Sequence, residues 1–534
     1  MSIKGKQSTA SPIESSDKLV QGAYDAALIL TAFALPFSNF LMSQGAFLLV
    51  IAWAIDRWKN GPLFRNRGWA HWKSQPTLWA VLALFAWQLI AQTWTSEWVT
   101  GWTALRIKLP LLAFPLILTT GRWNQKQGLF MVQHALGFSV GVACLSCLWI
   151  GYSNDTSLYP RDWSPFISHI RFSLMIAFVW AWWFWRWIRH SESRSGWVLL
   201  LLTLLGGWVI WKTASLTGAL MVPLSGIAVL WMEGLGREKP SLMWVRKCLK
   251  GVGLLALAVV ALGAWSLQPT YPTSQAMLSK TMGGETYQHF PERCLKENGG
   301  HVWINLAWGE LQEAWSGRST FPLDGPDQRG QELKTTLIRF LTSKGYPKDA
   351  NGIEQLTPLE IQVIEQGVPT VLELEHHGLM RRWDIIQFEV ANNIDGGDPS
   401  GHSLVQRIAF LQAAFHIYQE NPLFGVGTGD LKVAFAQAYE AVDSPLRDPF
   451  RLRAHNQYVT FMLSGGPLAL ILWLSVLGTL MIVPSYHEPR QPALLFLLIL
   501  GLSCFTEDTL ETQAGITFAG LFIGLFGRRF PPKN

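Results

Sequence analysis

Several charged side chains stand directly against long apolar runs, where hydrocarbon makes a charge costly. Arg106 and Lys108 lie near the start of one run, His169 and Arg171 begin another, and Lys212 ends a third. Ionisable groups in or at the edge of a membrane are functional candidates by default. If these cations share one depth, they form a pocket that suits an anionic lipid head group, above all a diphosphate.

Further charges flank the last apolar runs of the chain. His455 begins one run and follows Arg453, while Glu507 and Asp508 lie between the final two runs. The alternative role for such cations is to anchor the chain at the interface, with the charged end reaching water. Anchoring is as good an explanation as binding for Lys212. It is a weaker one for Arg171 and His455, which stand against long apolar runs.

The composition of the chain indicates a membrane protein. Of its 534 residues, 49% are hydrophobic and only 15% are charged, and there are 28 Trp and 29 Phe. Soluble domains carry about 25% charged residues. The net charge of +6 is divided unevenly, because residues 268–454 hold 16 Lys+Arg against 23 Asp+Glu (net −7) and the rest holds 27 against 14 (net +13). A disordered chain, a disulfide scaffold and an ordinary soluble enzyme are excluded.

The apolar runs have the length of membrane spans, for which a helix needs roughly 20 residues. About twelve are predicted: 24–42, 44–56, 76–94, 102–120, 131–151, 169–188, 196–212, 217–233, 249–267, 459–484, 491–507 and 513–527. With the N-terminus in the cytoplasm, 22 of the 27 Lys and Arg outside residues 268–454 fall on the cytoplasmic side. This asymmetry is what the positive-inside rule requires.

The expected organisation has three parts across a membrane. Residues 1–267 form nine transmembrane helices, residues 268–454 form one large, mainly helical segment outside the cytoplasm, and residues 455–534 form three more transmembrane helices. Both termini are then cytoplasmic. The fold class predicted is an all-α polytopic membrane protein.

Helical patterns occur inside the polar segment, at 331–343, at 358–366 after the N-cap signal Thr357-Pro358, and at 403–419. A glycine-rich stretch, Gly425-Val426-Gly427-Thr428-Gly429-Asp430, precedes a further helical run to about Ala441. Such a turn can offer backbone N–H groups to phosphate. It lacks the Lys-Ser/Thr of a P-loop and the strand of a dinucleotide fold, so a tight helix-to-helix turn is the equally weighted alternative.

No metal site or other cofactor is expected. The cluster Glu373, Glu375, His376 and His377 has no second cluster at zinc spacing, and a solvated surface explains it better. Cys144 and Cys147 lie inside one apolar run without a second pair, so they are expected to be packing residues. Nucleic acid is not an expected partner, whereas membrane lipids are.

The C-terminal part of the chain resembles the O-antigen ligase/polymerase (Wzy-C-like) superfamily, and within it an O-antigen ligase most closely. The resemblance lies in Arg407, Asn421-Pro422 with Gly425-Val426-Gly427, His455-Asn456-Gln457-Tyr458, Gly465-Gly466 and the stretch 506–511. It covers about residues 400–525 strongly and the preceding helices as a topology.

The resemblance implies a GT-C-like glycosyltransferase of the bacterial inner membrane, with residues 268–454 and the active site on the periplasmic side. Such an enzyme moves a glycan from undecaprenyl diphosphate to a hydroxyl on lipid A–core, inverting the anomeric centre without a metal. His455 matches the family histidine that takes or orients the acceptor proton, and Arg407 matches an arginine that contacts the diphosphate. A second family arginine is replaced by Leu216 in this chain. The predicted diphosphate ligands are therefore Arg407, Arg171, Arg106, Lys108 and Lys212; secondary site candidates are His169, Asn456, Arg453, Glu507 and Asp508.

Three alternatives remain open from the sequence. An O-antigen polymerase would use a second lipid-linked repeat as acceptor, and a protein O-oligosaccharyltransferase would use a Ser, Thr or Tyr hydroxyl. Both need the same donor pocket, although the single large external segment favours the ligase. A transporter or flippase of lipid-linked glycans is disfavoured, because no internal repeat is visible and the charges lie at the membrane edge rather than the midplane.

Overall fold

The computed structural model describes residues 12–61, 73–153, 160–190, 193–234, 276–482 and 490–529. The chain divides into two compact units, which are described separately. One, here called the apolar unit, comprises Met1–Gly251, Phe410–Val442 and Leu452–Asn534. The other, the polar unit, comprises Val252–Ala409 and Asp443–Arg451.

The apolar unit is built of long helices, as expected. They are α1 (Pro12–Ala34), α2 (Asn39–Asn60), α3 (Pro76–Ala91), α4 (Trp98–Thr120), α5 (Gln125–Ser153), α6 (His169–His190), α7 (Ser193–Lys212), α8 (Leu216–Gly234), α16 (Leu431–Ala441), α17 (Gln457–Ile482), α18 (Gln491–Thr506) and α19 (Gln513–Phe526). Seven helices in the described part of the chain are long and apolar enough to cross a membrane. These are α2, α3 extended to Trp94, α4, α5, α7, α8 and α17. The chain is thus a multi-pass membrane protein.

The remaining predicted spans have different outcomes. Helices α18 and α19 are apolar but only 16 and 14 residues long. Helices α1 and α6 reach 23 and 22 residues, but α1 carries four charged side chains and α6 carries three arginines and five tryptophans. The predicted span 249–267 lies outside the described residues. The number twelve therefore stays a prediction.

The predicted first span, 24–42, has the wrong boundaries. Helix α1 ends at Ala34 and α2 begins at Asn39, so the chain turns within the predicted span. Pro36 stands in this turn, and proline has no N–H for a helical hydrogen bond. Ser38 then caps α2, because its hydroxyl accepts from the Leu41 N–H at 3.4 Å. Pro36 in the turn and Ser38 at the N-cap thus divide this hydrophobic run into two helices.

Helix α17 is broken at two consecutive glycines. Gly465 (φ −142°, ψ 19°) and Gly466 (φ 69°, ψ −174°) are not helical, and the residue that follows them is Pro467. The break is filled by residues 423–429, which we call the glycine segment. Val426 N–H donates to the Leu463 carbonyl at 2.8 Å, and the Trp87 indole donates to the Gly465 carbonyl at 2.7 Å. The backbone groups released by the break thus find protein partners.

The polar unit is a small, mainly helical body. Its helices are α9 (Trp308–Ser316), α10 (Leu333–Ser343), α11 (Ala350–Glu354), α12 (Pro358–Glu365), α13 (Leu372–Glu375) and α14 (Leu379–Ile394), and α15 (Gln406–Glu420) begins in it before continuing in the apolar unit from Phe410. The helices predicted at 331–343, 358–366 and 403–419 are confirmed. Thr357 and Glu360 form a complete capping box at the start of α12.

Parts of the polar unit were not foreseen. Strands β1 (Lys296–Glu297) and β2 (Gly300–His301) pair antiparallel, so the described chain is not purely helical. Trp315 is fully buried in the core. Glu373 is buried and pairs with Arg381, so the expected solvated surface at 373–377 is wrong for this residue. The buried Lys348 ammonium donates to the carbonyls of His301 and Ile304, and burial lowers its pKa to about 7.

We expect Gly466→Ala to destabilise the protein strongly. A Cβ at this position would collide with the carbonyl oxygen of Leu423, in a left-handed conformation that costs a non-glycine residue about 1–2 kcal/mol even without a clash. Thermal unfolding of the purified full chain should show a melting temperature several degrees lower. Gly478→Ala is the matched control on the same helix, because its Cβ would meet no described atom within 4 Å. Equal melting temperatures for the two variants would contradict the close backbone contact between Gly466 and Leu423.

Candidate active site

The start of α17 presents the predicted catalytic histidine. His455 has a positive φ of 47°, and Asn456 directly precedes the first residue of the helix. The Asn456 side-chain oxygen accepts from the N–H groups of Tyr458 at 3.0 Å and Val459 at 3.2 Å. Asn456, a secondary site candidate, therefore acts as the N-cap. The imidazole of His455 is one-third exposed and lies 5.7 Å, between ring centroids, from Phe410 of α15.

A turn rich in carboxylates faces this helix start. Glu507, Asp508 and Glu511 lie between α18 and α19. Nδ1 of His455 is 3.7 Å from Oε2 of Glu507, which is slightly longer than a hydrogen bond. Asp508 accepts from the Thr460 hydroxyl at 2.7 Å. The turn thereby brings two secondary candidates, Glu507 and Asp508, beside the predicted base.

Lys108 is committed to a buried ion pair. Its ammonium lies 3.0 Å from Oε1 of Glu511, and both side chains are less than a tenth exposed. Arg453 approaches the same carboxylate at 3.7 Å and Asp508 at 4.0 Å. Burial tends to raise the pKa of Glu511, but Lys108 and then Arg453 bring it below its ordinary value. For Asp508, burial is the largest influence and raises the pKa.

Gln457 is a site residue that the sequence reasoning missed. It is fully buried, its amide donates to Glu511 at 3.2 Å, and its carbonyl accepts from the Leu510 N–H at 2.8 Å. It therefore ties the start of α17 to the carboxylate turn. The signal available was a glutamine directly after His-Asn at the start of an apolar run, where a buried amide needs partners.

Arg171 stands at the start of α6, where the carboxylates of Glu507 and Asp508 act on its charge. Its Nε is buried and makes no hydrogen bond to the described residues. Two residues later, the Ser173 hydroxyl donates to that of Ser215 at 2.8 Å. Ser215 directly precedes Leu216, the position at which the family arginine is missing. The starts of α6 and α8 therefore adjoin.

The other predicted cations are placed differently. Arg106 is exposed while Lys108 is buried, because residues two apart point to different faces of a helix. The Lys212 ammonium lies 5.0–5.5 Å from the ring centroids of Tyr152, Trp163 and Trp208. His169 is the first residue of α6 and half-buried. Arg407 lies on α15 and is counted with the polar unit.

The glycine segment packs against protein rather than presenting a free anion cradle. Gly429 N–H donates to the Thr95 hydroxyl at 3.3 Å, and the Thr428 hydroxyl donates to the Gln88 carbonyl at 2.7 Å. The Asp430 carboxylate accepts from the N–H groups of Ser96 and Glu97 at 2.8 and 2.7 Å, just before α4. Of the two predicted roles, the turn between two helices is confirmed, because the segment connects α15 with α16.

The arrangement has chemical consequences. Lys108 and Arg453 lie within 4.0 Å of the carboxylates of this turn, and Arg171 feels the charge of Glu507 and Asp508. The one-third exposed imidazole of His455 lies beside Glu507, which can orient it. In the described residues, no group of three or more His, Cys, Asp or Glu is arranged to hold a metal ion.

A family comparison covers much of this site. Residues 374–474 match the family model described as O-antigen ligase, a range that includes Arg407, the glycine segment, His455 and the broken part of α17. This match supports an O-antigen ligase-family protein. No curated protein sequence matches the chain. The family match also supports a glycosyltransferase of the ligase or polymerase type.

The buried pair provides a test of the site's construction. Lys108→Met alone should destabilise the protein by about 3–5 kcal/mol, because it leaves the Glu511 carboxylate buried without its main partner. Adding Glu511→Gln should restore most of the thermal stability, since the second charge is then also removed. Thermal unfolding of the single and double variants measures this. A double variant as unstable as Lys108→Met would mean that the two residues are not coupled.

Proposed function

We propose that the protein transfers a glycan from undecaprenyl diphosphate to a hydroxyl of lipid A–core on the periplasmic face of the bacterial inner membrane. The observation that carries the proposal is the position of His455. It lies within the matched range, at the start of an apolar helix, with Glu507 beside it and the buried Lys108–Glu511 pair on the same carboxylate turn. A lipid-linked donor brings its diphosphate to this level of a membrane.

The reaction needs a base and a set of cations. The acceptor oxygen forms a bond to the anomeric carbon as the bond from that carbon to the diphosphate oxygen breaks. The acceptor proton passes to His455, and the electron pair of the broken bond remains on undecaprenyl diphosphate. Attack from the side opposite the leaving group inverts the anomeric centre. Histidine suits the task because its side chain titrates near neutral pH.

Glu507 contributes indirectly in this proposal. At 3.7 Å from Nδ1 it can hold the imidazole with Nε2 directed towards the acceptor, and it favours the imidazolium formed when the proton arrives. Glu507 is thus a positioning residue. The diphosphate itself carries developing negative charge, which preorganised cations stabilise.

The predicted diphosphate ligands differ in their suitability. Arg407 and Arg171 are the first choices: Arg407 through the family resemblance, and Arg171 through its buried Nε and its place beside α8. Lys212 and Arg106 remain candidates at the periphery. Lys108 acts through Glu511, because its charge is already matched by that carboxylate. Side-chain cations thus take the role of charge neutralisation, and the proposal needs no metal or cofactor.

One observation favours the transporter alternative: helix α17 is broken, and broken helices are common in transporters. Here, however, the break in α17 is filled by the glycine segment of the same chain, and its backbone groups are bonded to Val426 and Trp87. A break that served transport would line a cavity. The broken helix therefore favours a packing role and leaves the transferase as the better proposal.

The acceptor is identified by the products of a strain that lacks the gene. Lipopolysaccharide that stops at the core, with lipid-linked polymer accumulating, identifies a ligase. Core capped by a single repeat identifies the polymerase. Unchanged lipopolysaccharide with loss of glycoprotein staining identifies the protein transferase. No change in any glycan acceptor, with lipid-linked glycan trapped on the cytoplasmic side, would identify a flippase.

We expect His455→Ala and Arg407→Ala to abolish transfer at normal membrane abundance. Loss of a general base lowers rates by about 10²–10⁴-fold. Complementation of the deletion strain, followed by gel analysis of its lipopolysaccharide and immunoblotting of its membranes, measures both quantities. His416→Ala is the control, since this histidine on α15 pairs only with Glu420 among the described residues. Wild-type transfer by either of the first two variants would refute the proposed roles.

A rescue experiment tests whether Arg171 replaces the family arginine. Arg171→Ala should reduce transfer strongly, and adding Leu216→Arg should recover a measurable part of it, because the starts of α6 and α8 are joined through Ser173 and Ser215. Leu216→Arg in the wild-type background serves as the matched control. If the double variant is no more active than Arg171→Ala although equally abundant, the two positions are not equivalent.

A further inference from the structure

The glycine segment lies beside the membrane-spanning part of two helices. Gly465 and Gly466 are eight and nine residues beyond the start of α17, which places the break about 12 Å along the helix axis. On its other side, the segment bonds to Gln88 and Thr95, at the end of the candidate span Pro76–Trp94. Half the hydrocarbon thickness is about 15 Å, so with the start of α17 at the hydrocarbon edge the segment would reach well into one leaflet.

Apolar side chains on this segment and on α15 are exposed. Leu423 and Phe424 are 70% and 58% exposed, and Phe424 touches Trp94 at 5.9 Å between ring centroids. On α15, Leu411 and Phe415 are 49% and 60% exposed and share one face, because they are four residues apart. These four side chains form what we call the outer stripe.

The opposite face of α15 is apolar as well. Phe410, Ala413, Ala414 and Ile417 are buried, and the Phe410 ring contacts Tyr439 and His455. A helix at the surface of a water-soluble domain shows polar residues on its outward face. On α15 the exposed Leu411 and Phe415 share the outward face with the exposed Gln412 and Gln419. Large exposed apolar side chains beside polar ones are typical of a helix at the boundary between lipid and water. Phe424 of the outer stripe also contacts Trp94, at the end of a candidate span.

Three backbone N–H groups of the segment have protein partners, as a membrane environment requires. Irregular backbone at membrane depth is tolerated only where protein groups bind it. The N–H groups of Gly425, Val426 and Gly429 donate to Asn421, Leu463 and Thr95 respectively. The irregular stretch can therefore lie in hydrocarbon without unpaired N–H groups at these positions.

We propose that residues 410–430 form a re-entrant element embedded in the leaflet that contains the start of α17, with the outer stripe in contact with lipid acyl chains. This revises the expectation that all of residues 268–454 lie outside the membrane. The proposal is independent of the proposed function. It places His455, which contacts Phe410, at the membrane surface, where the head group of a lipid-linked molecule lies without leaving the bilayer.

Site-directed fluorescence tests the proposal on the full chain in lipid nanodiscs. Cysteine replaces Leu411, Phe415 or Leu423 in a Cys294→Ser background, because Cys294 is the exposed thiol among the described residues. Each variant is labelled with an NBD maleimide, and the labelled parent provides the background signal. Phe138→Cys, 67% exposed on the candidate span Gln125–Ser153, is the lipid control, and Leu359→Cys, 63% exposed in the polar unit, is the aqueous control.

The expected result is blue-shifted emission at positions 411, 415 and 423, with quenching by acyl-chain doxyl lipids at least half that of the Phe138→Cys label. Iodide should quench these labels several-fold less than the Leu359→Cys label. Strong iodide quenching together with no doxyl quenching at 415 and 423 would overturn the proposal. Three positions are used so that one poorly folded variant does not prevent a decision. Transfer activity is not part of the readout, so the proposed function and this proposal can fail separately.

Discussion

The contact between the glycine segment and the broken helix α17 is the constraint on which the rest of the site depends. Two segments of the backbone approach so closely that a Cβ on Gly425 or Gly466 would overlap main-chain atoms of the opposite segment. Because the first half of α17 is held there, the direction of its N-terminus is determined. The same contact anchors the end of α15 and the start of α16, with Asp430 bonded to the residues before α4. Four helices are therefore aligned by one glycine-dependent contact.

The charged group built on this framework is balanced rather than strongly positive. Lys108, Arg171 and Arg453 face Glu507, Asp508 and Glu511, and Gln457 and Thr460 bind the carboxylates from α17. Burying such charges is costly unless they are paired and hydrogen-bonded. Glu511 therefore allows the Lys108 ammonium to remain buried. An entering anion would compete with the carboxylates for these cations rather than meet an empty cationic pocket.

The sequence predicted the features that depend on neighbours along the chain. Hydrophobic runs located the helices, the Thr357 capping box located α12, and the superfamily motif picked out His455 and Arg407. What it could not show were pairs joined across the fold, such as Lys108 with Glu511 or Gln457 with Leu510. The sequence could have predicted that Arg106 and Lys108 lie on different faces of their helix, because residues two apart on a helix cannot share a face. The turn before Asn39 was not predicted, because the hydrophobic run continues on both sides of Pro36 and has the length of one span.

The positive φ of His455 has a consequence for how this position can vary. Apart from glycine, mainly asparagine, aspartate and histidine adopt the left-handed conformation readily. The residue thus has to satisfy a backbone requirement and a chemical one at once, and the set of side chains that meets the first includes only one with an imidazole. Asparagine would keep the turn into α17 while removing the imidazole, whereas alanine would disfavour the turn and remove the imidazole. The backbone conformation therefore restricts which residues fit at position 455, independently of the chemistry that the imidazole provides.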